Sequence, residues 1–351
     1  MYDVIIIGAG QAGLSMGYYL KQTNLSFLIL DKGESIGEVW KNRYDSLKLF
    51  TPCAYSSLPG LQLEGPQNEY PTKDDIANYL STYAYRFKLP VKLKIAVQGI
   101  HKTESGGFRI TTDKEGFTAK NVVIATGAFQ KPHFPEFRNT LSDDVLQLHS
   151  SQYKNFKQLR DGPVLVVGGG NSGSQIAVEL SKGRKTYLSV SHKIKFVPQD
   201  IRNRSIFLWL DKLGIYRANV NSMMGQFLKK QPDPIFGFEL KSLIKDGKVI
   251  VKPRTVSIHN DHFVFEDNSE VHVNNVIWST GFRSDYTWID IAEVFDENNQ
   301  PLHQRGITSV KGLYFLGLPW QSSRGSALLQ GVGEDAEYSL NNILKNENIH
   351  K

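Results

Sequence analysis

The sequence predicts an α/β protein built from two Rossmann-like dinucleotide-binding domains, one inserted within the other. Three observations carry that reading. A short apolar strand, a glycine turn and a helix follow one another twice; each unit leads into another apolar strand; and each half holds a later strand that ends in a small-residue turn. The chain has 351 residues, long enough for two compact cores.

The first unit begins with V-I-I-I at residues 4–7, runs through Gly8-Ala9-Gly10-Gln11-Ala12-Gly13, and continues as L-S-M-G-Y-Y-L-K. Gly8 permits the tight turn, Gly10 lets backbone approach a pyrophosphate, and Gly13 lets the helix pack closely on the strand. The diphosphate would then sit at a helix N-terminus, facing free N–H groups. The strand at residues 27–30 closes on Asp31, followed by Lys32. Asp31 stands about 20 residues beyond the glycines, where a carboxylate takes ribose hydroxyls.

The second unit begins with V-L-V-V at residues 164–167, then Gly168-Gly169-Gly170-Asn171-Ser172-Gly173 and S-Q-I-A-V-E-L-S. Its next strand, residues 187–190, ends at Ser191-His192-Lys193 with no carboxylate. An acid there would repel a 2′-phosphate, whereas hydroxyl and cationic groups would bind one. The first fold is therefore expected to hold a cofactor with a free ribose, and the second to prefer NADPH over NADH.

Residues 122–125 run into Thr126-Gly127, and residues 276–279 into Thr280-Gly281. Both turns, with Ala125, are counted among the cofactor-binding positions. Between the first turn and the second glycine motif, Q-K-P-H-F-P-E-F at 130–137 reads as a linker. Residues 202–230 hold two helical stretches, F-L-W-L-D-K-L and N-S-M-M-G-Q-F-L, expected to cover a cleft. Another strand at 312–317 and a helix from about Gly333 return the chain to the first domain. The expected division is 1–158 and 284–351 for the first domain, with 159–283 inserted.

Apolar residues make up 40% and charged residues 22%, the balance of an ordinary globular protein. The net charge of +6 suits polyanionic cofactors, but no Lys/Arg block is dense enough for a nucleic-acid or membrane patch. One cysteine, Cys53, excludes an intramolecular disulfide and a dithiol relay; its T-P-C-A-Y setting reads as an inert buried thiol. His259 and His262 flank Asn260-Asp261 in a hairpin turn with no third ligand at convincing spacing, so no metal site is expected. No cationic leader precedes the first apolar run and no apolar stretch reaches about 20 residues, so a cytoplasmic protein without a membrane span is expected.

Two dinucleotide sites in one chain imply electron traffic between two cofactors. A nicotinamide delivers hydride, and a bound flavin receives it and passes electrons on.

The stretch G-E-V-W-K-N-R-Y-D-S-L-K-L at 37–49 resembles the flavin-proximal segment of flavin-containing monooxygenases (class B flavoprotein monooxygenases), above all the plant YUCCA type and its bacterial relatives. The similarity continues through Y-P-T-K-D-D-I-A-N-Y-L, V-V-I-A-T-G, H-S-S-Q-Y-K, V-L-V-V-G-G-G-N-S-G, I-W-S-T-G-F and G-S-A-L-L-Q-G-V-G-E-D-A. It implies a glutathione-reductase-like architecture with FAD on the N-terminal fold, NADPH on the inserted fold, and a small-molecule substrate oxygenated by O2 through a C4a-(hydro)peroxyflavin. It also implies that Trp40, Arg43, Tyr44 and Leu49 line the flavin. Asn171 would face the nicotinamide and the flavin, and Gln330, Gly331 and Gly333 would meet the pyrimidine end. The family fingerprint carries Phe-x-Gly ahead of its histidine, whereas this chain reads V-L-Q-L-H-S-S-Q-Y. His149, Ser150 and Tyr153 match while the Phe and Gly do not, so His149 stands as a catalytic candidate or a linker histidine. Two alternatives to oxygenation stay open: a flavin reductase or oxidase using another acceptor, and a non-enzymatic flavin redox sensor. Assembly as a homodimer is compatible with the sequence.

Overall fold

The structure, a computed structural model, describes residues 1–104 and 106–348; the final three residues of the expected last segment lie outside it. The chain opens with β1 (Tyr2–Ile7), α1 (Gln11–Leu20) and β2 (Phe27–Leu30), then the short α2 (Glu38–Lys41) and α3 (Lys73–Arg86). Thr72 and Asp75 form a capping box that fixes the start of α3. β3 (Val91–Lys92), β4 (Val97–Lys102), β5 (Phe108–Thr112) and β6 (Phe117–Ile124) complete the run. Their order is β3-β2-β1-β6-β5-β4. β1 lies parallel between β2 and β6, buried on both faces, which is why its V-I-I-I run shows no polar alternation.

A second sheet follows, of β7 (Leu146–His149), β8 (Val164–Val167) and β9 (Thr186–Ser189), with α4 (Asn171–Leu180) between β8 and β9. The helices α5 (Ile206–Lys212), α6 (Met223–Lys229) and α7 (Glu239–Lys245) precede β10 (Val249–Lys252) and β11 (Asn275–Trp278). All five strands are parallel, in the order β10-β9-β8-β11-β7. Between β10 and β11 runs an antiparallel meander whose first turn places Asn260 and Asp261 at φ +49° and +60°, the hairpin turn expected at His259–His262.

β12 (Leu313–Phe315) then returns to the first sheet, parallel to residues 122–124 of β6, while β5 pairs with residues 117–119. α8 (Val332–Asn348) packs on α1, with Leu340 and Ile343 beside Leu14 and Met16 in one core.

Two expectations change. β7 hydrogen-bonds to β11 in the second sheet, although the division at 158 assigns it to the first domain. Sheet membership therefore moves the first crossing to residues 131–132, which pair antiparallel with Phe282–Arg283 on the way back. Without β7, the outer edge of β11 would lie open. The second change concerns the cleft cover. α5 buries Phe207, but α6 turns outward: Gly225 is its buried residue, and Met223 and Phe227 are 90% and 61% exposed.

A candidate active site between two glycine loops

The two glycine loops have the same geometry. Gly8 sits at φ +109°, and a methyl built on it would lie 2.5 Å from the Ala125 carbonyl oxygen; Gly168 sits at φ +112°, 2.3 Å from the Ser279 carbonyl oxygen. A methyl on Gly13 would lie 1.8 Å from the Gly8 carbonyl oxygen, and one on Gly173 would lie 1.9 Å from that of Gly168. The middle glycines differ from both. A methyl on Gly10 or Gly170 meets nothing within 4 Å. These two residues are also the N-caps of α1 and α4, and neither helix start carries a side-chain cap. An open cradle at an uncapped helix N-terminus fits a dinucleotide pyrophosphate.

The loops diverge at the ribose end. Asp31 accepts from the Ala9 N–H at 2.6 Å and from the Gly33 N–H at 2.7 Å, which fixes its carboxylate beside the first loop. Lys32 is exposed. At the matching end of β9, Ser191, His192 and Lys193 are all exposed, with Ser191 Oγ 3.2 Å from His192 Nδ1.

The segment expected to line a flavin docks the domains together. Arg43 reaches Ser172 Oγ at 3.5 Å and lies over the rings of Phe129 and Phe282 at 5.1 and 5.6 Å. Tyr44 is 2% exposed, in the core of the inserted domain. Its hydroxyl donates to Gln175 Oε1 at 3.2 Å, and burial pushes the phenol up to about 12. Its ring fills the gap between the segment and α4. Trp40 and Leu49 pack against both cores.

His149 lies at the crossing between the two domains. It is fully buried, its Nε2 lies 3.0 Å from the Gly281 carbonyl oxygen and its Nδ1 lies 2.9 Å from Ser151 Oγ. Phe134 and Phe282 stand edge-on to the ring at 5.2 and 5.0 Å. Burial, the largest influence, lowers its pKa, so Nε2–H donates from a neutral ring. Both nitrogens are used within the chain, so His149 fastens the crossing in this structure. Thr280 Oγ1 donates to the His133 carbonyl oxygen, and Gln130 Nε2 donates to Thr126 Oγ1 at 3.0 Å and to the Gly127 carbonyl oxygen at 2.8 Å. These turn residues therefore belong to the crossings.

Asn171, at the start of α4, opens onto a cavity of about 190 Å³. Five aromatic side chains line it: Phe50, Phe207, Tyr216, Phe236 and Trp320. Phe50 stacks on Phe236 at 5.2 Å, and Phe207 lies 5.1 Å from Phe236 and 5.8 Å from Tyr216. Arg324 also lines it, paired with Asp233 at 3.0 Å. The 202–230 stretch, expected to cover a cleft, supplies Phe207 and Tyr216, and Phe50, Phe236 and Trp320 come from outside it. Trp320 carries a left-handed φ of +58°, a strain that no sequence signal announces. Nearby, Gln11 Nε2 donates to the Ala327 carbonyl oxygen at 2.9 Å, tying α1 to the segment before α8. Gln330 Oε1 is buried with no partner among the described residues, an orphaned polar atom that fits a bound group at this end. Gly333 instead leaves room for Pro59, whose Cγ would meet an added methyl at 2.4 Å, and Gly331 does the same for the Gly325 backbone.

A larger hollow, about 360 Å³, lies between Ser181, Lys185, Lys248 and Ile250, at the opposite end of the second sheet from the loop, and carries no chemistry of the site. Cys53 is buried, and burial raises its thiol pKa, which leaves little thiolate. Among the described residues no group of three His, Cys, Asp or Glu converges on a metal-sized site, and no helix is long and apolar enough to cross a membrane.

Residues 5–203 match the pyridine nucleotide-disulphide oxidoreductase family. An uncharacterised CzcO-like oxidoreductase of Geobacillus kaustophilus is 59% identical, over 97% of this chain and 98% of the relative. The probable indole-3-pyruvate monooxygenase YUCCA9 of Arabidopsis thaliana is 28% identical, over 85% and 79%. The solved flavin-containing monooxygenase of Stenotrophomonas maltophilia superposes with a TM-score of 0.83 at 27% identity, covering 98% of both chains. A bacillithiol disulfide reductase of Bacillus cereus shares the fold, with a TM-score of 0.73 at 17% identity. With both nested domains and both glycine loops accounted for, this chain belongs to the pyridine nucleotide-disulphide oxidoreductase family, in its flavin-containing monooxygenase group.

Proposed function

We propose that the chain binds FAD on its N-terminal domain and NADPH on the inserted one, and that it is an NADPH-consuming monooxygenase of a small organic substrate. The observation that carries this reading is the pair of open cradles at Gly10 and Gly170, each framed by glycines that tolerate no side chain. When bound, NADPH supplies hydride and the flavin supplies reaction with O2.

The chain's own residues supply geometry. Gly8, Gly10 and Gly13 with Asp31 hold the first dinucleotide. Gly168, Gly170 and Gly173 hold the second, with Ser191, His192 and Lys193 at its 2′-phosphate. Arg43, in the 37–49 segment, reaches Ser172 of the second loop across the domain boundary. The aromatic wall beside Asn171 excludes water from the reacting end.

The test is to reduce the purified flavoprotein anaerobically with NADPH, mix it with oxygenated buffer and follow the flavin spectrum by stopped flow. A transient spectrum, neither reduced nor oxidised, is the expected result. Direct return to oxidised flavin would assign the chain to a reductase or oxidase. Gly170→Val should retain FAD and lose reduction by NADPH, and unchanged reduction would remove NADPH from the inserted domain.

A further inference from the structure

We propose that Arg43, a residue of the N-terminal domain, is the counter-cation for the diphosphate of NADPH at the second glycine loop. The nucleotide site of the inserted domain is then completed by the facing domain. This rests on the reading above in taking the second loop as the NADPH cradle.

Arg43 carries a charge that nothing in the chain answers. Among the described residues no carboxylate pairs with it. Its guanidinium has one polar side-chain contact, Ser172 Oγ at 3.5 Å, which is long for a hydrogen bond. Its other neighbours are the rings of Phe129 at 5.1 Å and Phe282 at 5.6 Å. Ring faces attract a cation, but they offer its N–H donors no oxygen. Burial is the largest influence on the group and pushes its pKa down, as for a cation taken from water with no anion beside it. Half-buried and unpaired, the fork is suited to an anion from outside the chain.

Ser172 gives the place of that anion. It stands in the first turn of α4, two residues past Gly170, and that turn carries no acid and no side-chain cap. The first loop provides the contrast. Ala12 holds the position of Ser172 there, buried against Gly317, so that loop presents no polar side chain to a cation. A diphosphate brings more negative charge than the partial positive end of one helix offsets, and a guanidinium supplies most of the remainder.

The experiment is titration calorimetry on the FAD-loaded protein, without turnover, with NADP⁺ and adenosine 2′-monophosphate as probes. Arg43→Met should keep FAD and weaken NADP⁺ about ten- to a hundredfold, the worth of a charge-assisted contact. Adenosine 2′-monophosphate lacks the diphosphate and should bind both proteins alike. Without NADP⁺ the Tm of the FAD-loaded variant should hold or rise, because a desolvated, unpaired charge has been removed. Arg43→Lys keeps the charge and loses the fork, and should recover part of the affinity. A colourless Arg43→Met protein would return Arg43 to the flavin and overturn the proposal. Equal losses for both probes, or a lowered Tm, would make Arg43 a structural tie and overturn it too. NADP⁺ binding indifferent to Arg43→Met would strike this proposal alone. Wild-type protein that binds no NADP⁺ at millimolar concentration would strike the assigned function, and this proposal with it.

Discussion

The two glycine loops differ in almost nothing that touches a pyrophosphate and in almost everything beyond it. Their first glycines stand at φ +109° and +112°, and both third glycines abut the carbonyl of the first. Past the next strand the likeness ends. The N-terminal domain presents Asp31, held by two backbone N–H groups, and the inserted domain presents exposed Ser191, His192 and Lys193. The phosphate cradle is a property of backbone shape and needs only glycine. The choice of dinucleotide is a property of side chains at one strand end and can vary without disturbing the cradle.

The largest expected effect separates the glycines of one loop. Gly13→Ala places a methyl 1.8 Å from the Gly8 carbonyl oxygen, and that closest neighbour is backbone rather than a side chain that could move. It should cost several kcal/mol and yield little soluble protein. Gly10→Val extends into open space, so the fold should survive within about 1 kcal/mol while the purified protein loses its yellow colour. Thermal melts and the flavin absorbance of both variants check this. A yellow Gly10→Val protein would remove FAD from the first loop, and a stable Gly13→Ala protein would break the claim that the glycines divide their roles.

A smaller effect tests the ribose ends. Replacing His192 and Lys193 together by Ala should lower the NADPH-over-NADH preference by about ten- to a hundredfold, the worth of a charge-assisted contact. Both side chains are exposed, so Tm should hold. Reduction rates with the two nucleotides measure it, and an unmoved ratio places the 2′-phosphate elsewhere.

Much of this organisation is legible in the sequence because it is local. The β1 and β8 runs, their glycine turns and Asp31 lie within a few dozen residues of one another, and hydrophobic run and turn chemistry suffice to read them. What fails is what depends on distant chain. β7 reads as part of the first domain until its partner β11, over a hundred residues later, claims it for the second. The bond from Tyr44 to Gln175 is also invisible in sequence, because nothing in the neighbourhood of Tyr44 announces α4. The cavity draws Phe50, Phe207, Tyr216, Phe236 and Trp320 from segments spread over most of the chain, and no spacing rule gathers them. α6 is misread for another reason. Its apolar residues look like a buried stripe, yet Gly225 faces inward where a larger side chain would strike the Asn219 carbonyl.

The smallest expected effect concerns the crossing that joins the two halves. His149 is held neutral by burial, so its folded pKa lies below the roughly 6.5 of an unfolded chain. Above that value both states are neutral and the ring's bonds to Gly281 and Ser151 count in full. As pH falls below it, the unfolded chain takes up the proton more readily, and stability is lost until the folded ring also titrates. His149→Leu should therefore lower Tm at pH 8, at a cost of about 1 kcal/mol for the lost bonds, since the Gly281 carbonyl still accepts from His133 N–H at 3.0 Å. At pH 5.5 the gap between wild type and variant should narrow. His133 and His303 also have lowered values, so both proteins keep some acid sensitivity, and only the difference between them reports on His149. A gap that stays constant from pH 8 to 5.5 would mean that the crossing is fastened by packing of Phe134 and Phe282 alone. A gap that closes would make the imidazole the element that ties the first domain to the second.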